Sequence, residues 1–477
     1  MESTTRQFSQ NARDALANAP LQSALGKMES GFVANRASAA GRLLEFEALR
    51  DQARDIKNHT LENLDFYLEK FEENVIASGG VVHWAATAGD ARQIVLDICR
   101  SVDAKTVTKG KSMIAEEIGL NEFLEANEIE PVETDLGEYI IQLRHETPSH
   151  IIAPAIHVVK DQVIETFKES HAQFDPNRSL EEPRELLDEA RSVLRQRFFD
   201  ADVGITGANF LIAETGSTVI VTNEGNGDLT QTLPKIHVVV ASLEKVVPTL
   251  EDASAILRVL ARSATGQEFS SYTTFSNGPR RAEDPDGPEQ FHVVLLDNGR
   301  SKLLGTESQE VLRCIRCGAC MNHCPVYGAI GGHAYGWVYP GPIGSVITPT
   351  LIGVDEARDL PNASTFCGRC EEVCPMRIPL PKLMRHHRET AFAEKLTPAT
   401  ERAGLSVWAF FAQRPALYRM ATGMAMRVLG AFGRRRGKFT RLPGASGWTA
   451  HRDFPAPPGK TFQQQWSARG GRRKAGQ

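Results

Sequence analysis

The chain has 477 residues, 41% hydrophobic and 24% charged, with a formal net charge of −5. That length exceeds one ordinary core and predicts two or three soluble globular domains. The first forty residues are polar, with mixed charge and no apolar signal core, and no apolar stretch is long enough to span a bilayer; together these exclude an export signal and a membrane span and predict a cytoplasmic, reducing setting. The modest net charge hides an asymmetry, because beyond about residue 385 arginine and lysine dominate, from Arg402 to Lys474.

From Glu45 to Ala77, Leu61, Leu64, Tyr67, Leu68 and Phe71 recur at helical spacing among charges and predict one or two amphipathic helices. Strand and helix then alternate: Val81–Ala85 as strand, Ala91–Val102 as helix, Thr106–Thr108 as strand, Met113–Ala126 as helix and Glu130–Thr134 as strand. Short connections between them predict a parallel, doubly wound sheet. A helical stretch over Asp161–Arg197 follows, then a hairpin over Phe210–Thr222 turning at Thr215-Gly216-Ser217. Further strands are expected at Ile236–Val240 and Phe291–Leu296, with a helix at Ala253–Arg262 between them, giving an α/β domain with a mixed sheet that ends near Arg300.

Seven of the eight cysteines lie in two runs, Cys314-Ile-Arg-Cys317-Gly-Ala-Cys320-Met-Asn-His-Cys324-Pro325 and Cys367-Gly-Arg-Cys370-Glu-Glu-Val-Cys374-Pro375. Spacings of two let successive thiolates wrap one corner of a cubane cluster, while the cysteine before proline points to the other cluster. The spacing therefore assigns Cys314, Cys317, Cys320 and Cys374 to a first iron–sulfur cluster and Cys324, Cys367 and Cys370 to a second. Three residues before Cys367, where a two-cluster ferredoxin places a further thiolate, this chain has Ser364. The second cluster is thus either [3Fe-4S], or [4Fe-4S] with its last iron on Ser364, water or substrate, and the first is [4Fe-4S]. Zinc sites favour paired CxxC motifs, and an odd seven leaves a thiol over from disulfides, so both alternatives fit poorly. The eighth, Cys99, falls in the apolar pattern Ile94–Cys99 and reads as a buried helix residue.

Between the runs, Gly331–Gly344 is dense in glycine, proline and aromatics. It reads equally as a loop packing rings and N–H groups against a cluster or as a structural Ω-loop. Glu214, before the hairpin glycine, is a candidate nucleophile or a solvated turn residue; Asn223-Glu224-Gly225-Asn226-Gly227 is a candidate substrate loop or a plain turn; His386 and His387 are candidate proton-transfer groups or an exposed helix face. No nucleotide-binding glycine motif occurs in a strand-to-helix context. Beyond Pro398, Leu405–Phe411 and Met420–Phe432 are helical and edged by arginines, and the stretch from Pro455 to Lys474 reads as disordered. The basic tail suits an acidic partner subunit, with an anionic membrane surface near a quinone pool as a second possibility; no base-reading motif accompanies it, so nucleic acid is not expected.

These residues resemble the lactate utilization protein B family, through Arg50–Lys57, Thr134–Tyr139, Ala213–Ser217 with Thr222–Asn226, Asp297–Arg300, both cysteine runs and Gly332–Gly336. The resemblance implies an N-terminal helical segment (1–69), an α/β LUD-type domain (70–300) similar to the sugar-isomerase and CoA-transferase superfamily, an α-helical ferredoxin-like two-cluster domain (301–392) and a basic helical C-terminal region (393–477). It further implies an electron-transfer subunit of a complex oxidising L-lactate to pyruvate, acting with A-type and C-type partners. No catalytic residue for lactate is assigned. The rival reading is a transferase- or isomerase-like enzyme with structural clusters.

Overall fold

Ile236–Ser242 and Gln290–Leu296 are near-continuous runs of Val, Leu and Ile, the pattern of strands covered on both faces. The computed structural model describes residues 3–442, 446–449 and 452–474, and the chain forms two compact units, residues 1–391 and 392–477. The first unit holds strands β1 (Val81–Ala85), β2 (Thr106–Lys109), β3 (Glu130–Glu133), β4 (Val203–Thr206), β5 (Phe210–Ile212), β6 (Ser217–Thr222), β7 (Ile236–Ser242), β8 (Val246–Val247), β9 (Tyr272–Ser276) and β10 (Gln290–Leu296). Six make a parallel sheet in the order β1-β10-β7-β4-β2-β3.

Side-chain alternation places the two cores. Val238, Val240, Val294 and Leu296 pack with Val95, Leu96, Leu120 and Leu124 from the helices Ala88–Arg100 and Leu120–Glu125. Their neighbours Val239, Ala241, Val293 and Leu295 pack on the opposite face with Leu64, Leu68, Phe71 and Val75 of the helix Leu64–Ala77.

The structure departs from the expected elements in several places. The single mixed sheet is two sheets, the parallel one and a second in the order β8-β5-β6-β9 with antiparallel β5–β6 and β6–β9 pairs. The helix expected over Met113–Ala126 is broken into Met113–Glu117 and Leu120–Glu125 by Gly119, whose φ of 63° no helix accommodates. Asp161–Arg197 resolves into Lys160–Ser170 and Pro183–Asp200. Strands β4, β8 and β9 had no signal of their own, being short or, in β9, lacking buried residues.

Helices up to residue 62, expected before Glu45 from the family resemblance and not from the residue pattern, cover the cysteine module. Thr4 N–H donates to Gly336 O at 2.8 Å and Gln22 Nε2 to Ala329 O at 2.8 Å. The α/β domain and the module are further joined by a buried chain of charges. Arg300 binds Glu117 at 2.9 and 2.6 Å and approaches Glu244 at 3.1 Å; Glu244 also meets Arg316 at 3.2 Å; and Tyr339 donates to Glu117 at 2.5 Å.

The second unit pairs helices Ala399–Ala412 and Pro415–Gly433, adds a two-stranded ribbon joining Lys438–Phe439 to Phe454–Pro455, and ends in a helix over Phe462–Lys474. That last helix replaces the disorder expected from composition. Its start is a capping box, Gln464 N–H on Thr461 Oγ1 and Thr461 N–H on Gln464 Oε1, and Phe462 stacks on Trp466 one turn later. Among the described residues no helix is long and apolar enough to cross a membrane.

Gly204 in β4 lies so close to the helix Asn226–Thr232 that a Cβ there would stand 1.8 Å from Thr230 O, whereas a Cβ at Gly41 meets nothing within 4 Å. Gly204→Ala is therefore expected to lower stability by about 2 kcal/mol or more, and Gly41→Ala to leave it unchanged or raise it slightly, as read by urea unfolding of the purified protein.

Candidate functional site

Local backbone explains how each run wraps. In the first, Arg316 (φ 60°) and Gly318 (φ 71°) are left-handed, which turns successive N–H groups inward. Arg316 N–H lies 3.4 Å from Cys314 Sγ, and Ala319 N–H bonds Cys317. Pro325 then opens the helix Pro325–Ile330, so that the N–H groups of Val326 and Tyr327 reach Cys324 at its start. The second run repeats the device with Phe366 (φ 54°), Gly368 (φ 79°) and Arg377 (φ 51°); Ile378 N–H lies 3.5 Å from Cys374 Sγ. The N–H donors to sulfur named here belong to the two runs and the residues just after each, and the Gly331–Gly344 loop contributes rings instead. Its Tyr335 is fully buried, and after burial the charges of Cys324, Cys320 and Cys370 weigh on its phenol, so the ring stands near both sets of thiols.

No disulfide pairs any of the eight cysteines, and electrostatic neighbours sort the seven of the module mainly into two groups. Burial pushes Cys317 up to about 12, followed by Cys374 and then, more weakly, Cys314. Burial also raises Cys320 strongly, with Cys317, Cys314, Cys374 and then Cys370 next, so the two groups adjoin at this thiol. The second group is Cys324, Cys367 and Cys370: burial lifts Cys370 to about 12, with Cys324 and Cys367 adding to it, while Cys324 is raised by burial and Cys367. Cys367 is exposed, and hydrogen bonds from Thr365 and the Arg369 N–H lower its pKa. Crowded, buried thiols ringed by inward N–H groups suit a cationic metal–sulfide core, which supplies the charge that lets them ionise together. These residues therefore fit two iron–sulfur clusters. Cys99, by contrast, is fully buried in the helix core under the sheet, where burial raises its thiol to about 12.

Side chains without a spacing signature hold the second run in place. Arg50 is buried and donates to Cys374 O at 2.7 Å and Glu372 O at 2.6 Å; Arg36 donates to Val373 O at 2.9 Å; and Arg313 donates to Arg377 O at 3.3 Å. Sequence reasoning quoted Arg50 within a family motif but assigned it no role. Arg36, Arg313 and Arg316 were missed, although Arg316 stands between two cysteines.

Other candidates separate clearly. Glu214 is exposed and its carboxylate accepts the Leu250 N–H at 3.1 Å, at the start of the helix Leu250–Ala264. That is a helix-end contact and not a nucleophile's setting. Asn223, Glu224, Asn226 and Gly227 line a cavity of about 590 Å³ that Ile315, Arg316 and Cys317 also line. His386 pairs at the surface with Glu307 at 3.0 Å, and His387 is buried against Val346 O at 3.1 Å.

Three family models match successive parts of the chain. Residues 68–296 match the LUD domain model, 310–378 the 4Fe-4S dicluster domain model, and 384–471 the model for the C-terminal region of lactate utilisation protein B. Proteins named lactate utilization protein B from Bacillus licheniformis and Bacillus subtilis are 44% and 43% identical, each over 98% of both chains. The protein of that name from Macrococcus caseolyticus is 46% identical over 88% of both. Among solved structures, a DUF162 family protein from Deinococcus radiodurans aligns with 49% of this chain and 98% of its own at 15% identity, with a TM-score of 0.26 that bears no weight. On identity, coverage and domain order, this iron–sulfur chain belongs to the lactate utilization protein B family.

Proposed function

We propose that the chain is the cytoplasmic electron-transfer subunit of a complex that oxidises L-lactate to pyruvate, working with A-type and C-type partner subunits. Cys314, Cys317, Cys320 and Cys374 hold a [4Fe-4S] cluster in this reading, and Cys324, Cys367 and Cys370 hold the second, of three or four irons. When bound, such clusters carry single electrons. The observation that carries the reading is the meeting of thiols from runs about forty residues apart, with one group mostly buried and the other reaching solvent at Cys367. Burial shields the first group from water and stray oxidants, and exposure at Cys367 leaves a short path to an acceptor. The C-terminal unit, with Trp408, Phe432 and Trp466 exposed among arginines, suits docking of an acidic partner subunit. A peripheral membrane or quinone-linked acceptor lies downstream in this scheme.

Anaerobic purification with iron analysis and EPR tests the cluster assignment. Wild-type protein is expected to show two magnetically distinct clusters. Cys317→Ser removes the signal of the first and Cys370→Ser that of the second, whereas Glu214→Gln preserves lactate-dependent electron flow in the reconstituted complex. A colourless, iron-free, zinc-loaded preparation defeats the reading. Ser364→Cys supplies a further thiolate beside the second group, and any three-iron signal of the oxidised wild-type protein is expected to vanish in it.

Arg50 is a positioning residue for Cys374. Replacing it by lysine removes the fork that holds the carbonyls of Glu372 and Cys374, so Arg50→Lys is expected to cost about 2–3 kcal/mol in urea unfolding of the anaerobic holoprotein. The same variant should lose the first cluster's EPR signal under air faster than the second's.

A further inference from the structure

The parallel sheet has one place where its connections diverge. From β2 the chain moves outward to β3, while from the adjacent β4 it proceeds the other way toward β7, so the crevice beyond the carboxyl ends of β2 and β4 is the switch point at which open α/β sheets take ligands. Gly110 directly follows β2 and Gly207 directly follows β4, and both line the cavity of about 590 Å³. That volume lies in the range of small-molecule sites.

The cavity gathers cations whose hydrogen bonding the protein leaves incomplete. Arg316, with its side chain 7% exposed, pairs with Glu244 at 3.2 Å and lies over the Tyr339 ring at 4.5 Å, while its Nε and Nη1 have no hydrogen-bond partner in the protein. Lys111 Nζ is buried and likewise unpartnered; its nearest carboxylate, Glu138 Oε1, is 3.9 Å away. Burial drives that carboxyl well above its usual range, against the pull of Lys111. Lys245, also lining the cavity, is buried as well. Buried N–H donors left without acceptors are costly, and an anionic ligand would supply the missing acceptors.

The rest of the lining narrows the anion. Glu224 at the mouth and Asp135 place negative charge on the same cavity, which opposes a dianionic phosphate more than a monoanion. Met113, Ile140, Ile152, Ile220 and Leu260 offer apolar cover to a carbon skeleton. We infer that this cavity, between the α/β domain and the first cysteine run, binds a small organic monocarboxylate, with Lys111 and Arg316 as its cationic anchors. The inference rests on the electron-transfer reading for its purpose, since Cys317 on the cavity wall would then put the bound acid beside the first cluster.

The test titrates L-lactate, pyruvate and inorganic phosphate into anaerobically prepared full-length protein by isothermal calorimetry, with EPR of the reduced clusters recorded on the same samples. Saturable heat is expected from L-lactate or pyruvate and none from phosphate. Lys111→Gln should weaken binding about tenfold through the lost charge, while Glu224→Gln should tighten it about threefold by removing repulsion. A general folding fault would weaken both variants, so shifts in the same direction overturn the inference, as does phosphate binding without carboxylate binding. Heat without an iron–sulfur signal keeps the binding site and removes the electron-transfer reading. Intact signals with no heat from any carboxylate do the reverse.

Discussion

The fold depends on one buried run of alternating charges, Glu117–Arg300–Glu244–Arg316. Its members come from four separate places: the first helix after β2, the turn after β10, the turn after β7, and the loop of the first cysteine run. Each is almost fully buried, so none can be left alone without a large penalty. Such a chain adds little net stability over an apolar core of the same shape, but it tolerates only one arrangement. Both acids remain ionised for that reason: burial pushes them up, yet Arg300 and the further partners of each hold Glu117 below its usual range and Glu244 at about 2. Lys57 reinforces the joint by donating to the carbonyls of Glu244 and Val246. The consequence is a fixed orientation of the first cysteine loop against the carboxyl ends of the parallel sheet.

That orientation gives the molecule a direction. The cavity at the sheet's switch point shares Cys317 with the more buried thiol group, and the second group opens to solvent at Cys367. Tyr335 packs beside thiols of both groups. One set of thiols, mostly buried beside the cavity, and another that reaches solvent at Cys367 are thus packed within one module.

The cysteines were legible because cluster ligation imposes spacing, and spacing is a property of sequence. The α/β alternation was legible for a similar reason: strands such as β7 and β10, buried on both faces, must be apolar throughout. What escaped was set by tertiary contact. Arg36, Arg50 and Arg313 act on backbone carbonyls hundreds or tens of residues away, and a carbonyl carries no side-chain identity for a pattern to detect. Strand β4 escaped because Val-Gly-Ile-Thr is short and its glycine answers to the Thr230 carbonyl across the fold. The C-terminal helix over Phe462–Lys474 was hidden by a Gly- and Arg-rich composition, while its capping box and Phe462–Trp466 pair were local signals that outweighed it.

The arginines also resolve an electrostatic problem that the cysteines create. Four thiolates around an iron–sulfide core carry net negative charge, and burying that charge requires cations close by. Arg36 acts on Cys317 and Arg50 on Cys374, each lowering the cost of the thiolate, while both fix the backbone of the second run. Holding the loop and neutralising its charge are therefore done by the same side chains. The second group has less need of them, because Cys367 faces water and has the N–H of Arg369 and the side chain of Thr365 for partners. Arginine suits the first group better than lysine: its planar fork can satisfy two carbonyls at once while its charge stays fixed at any physiological pH. Arg36, Arg50 and Arg316 are thereby gathered about the more buried thiols, and the cavity lined by Cys317 lies against the same group.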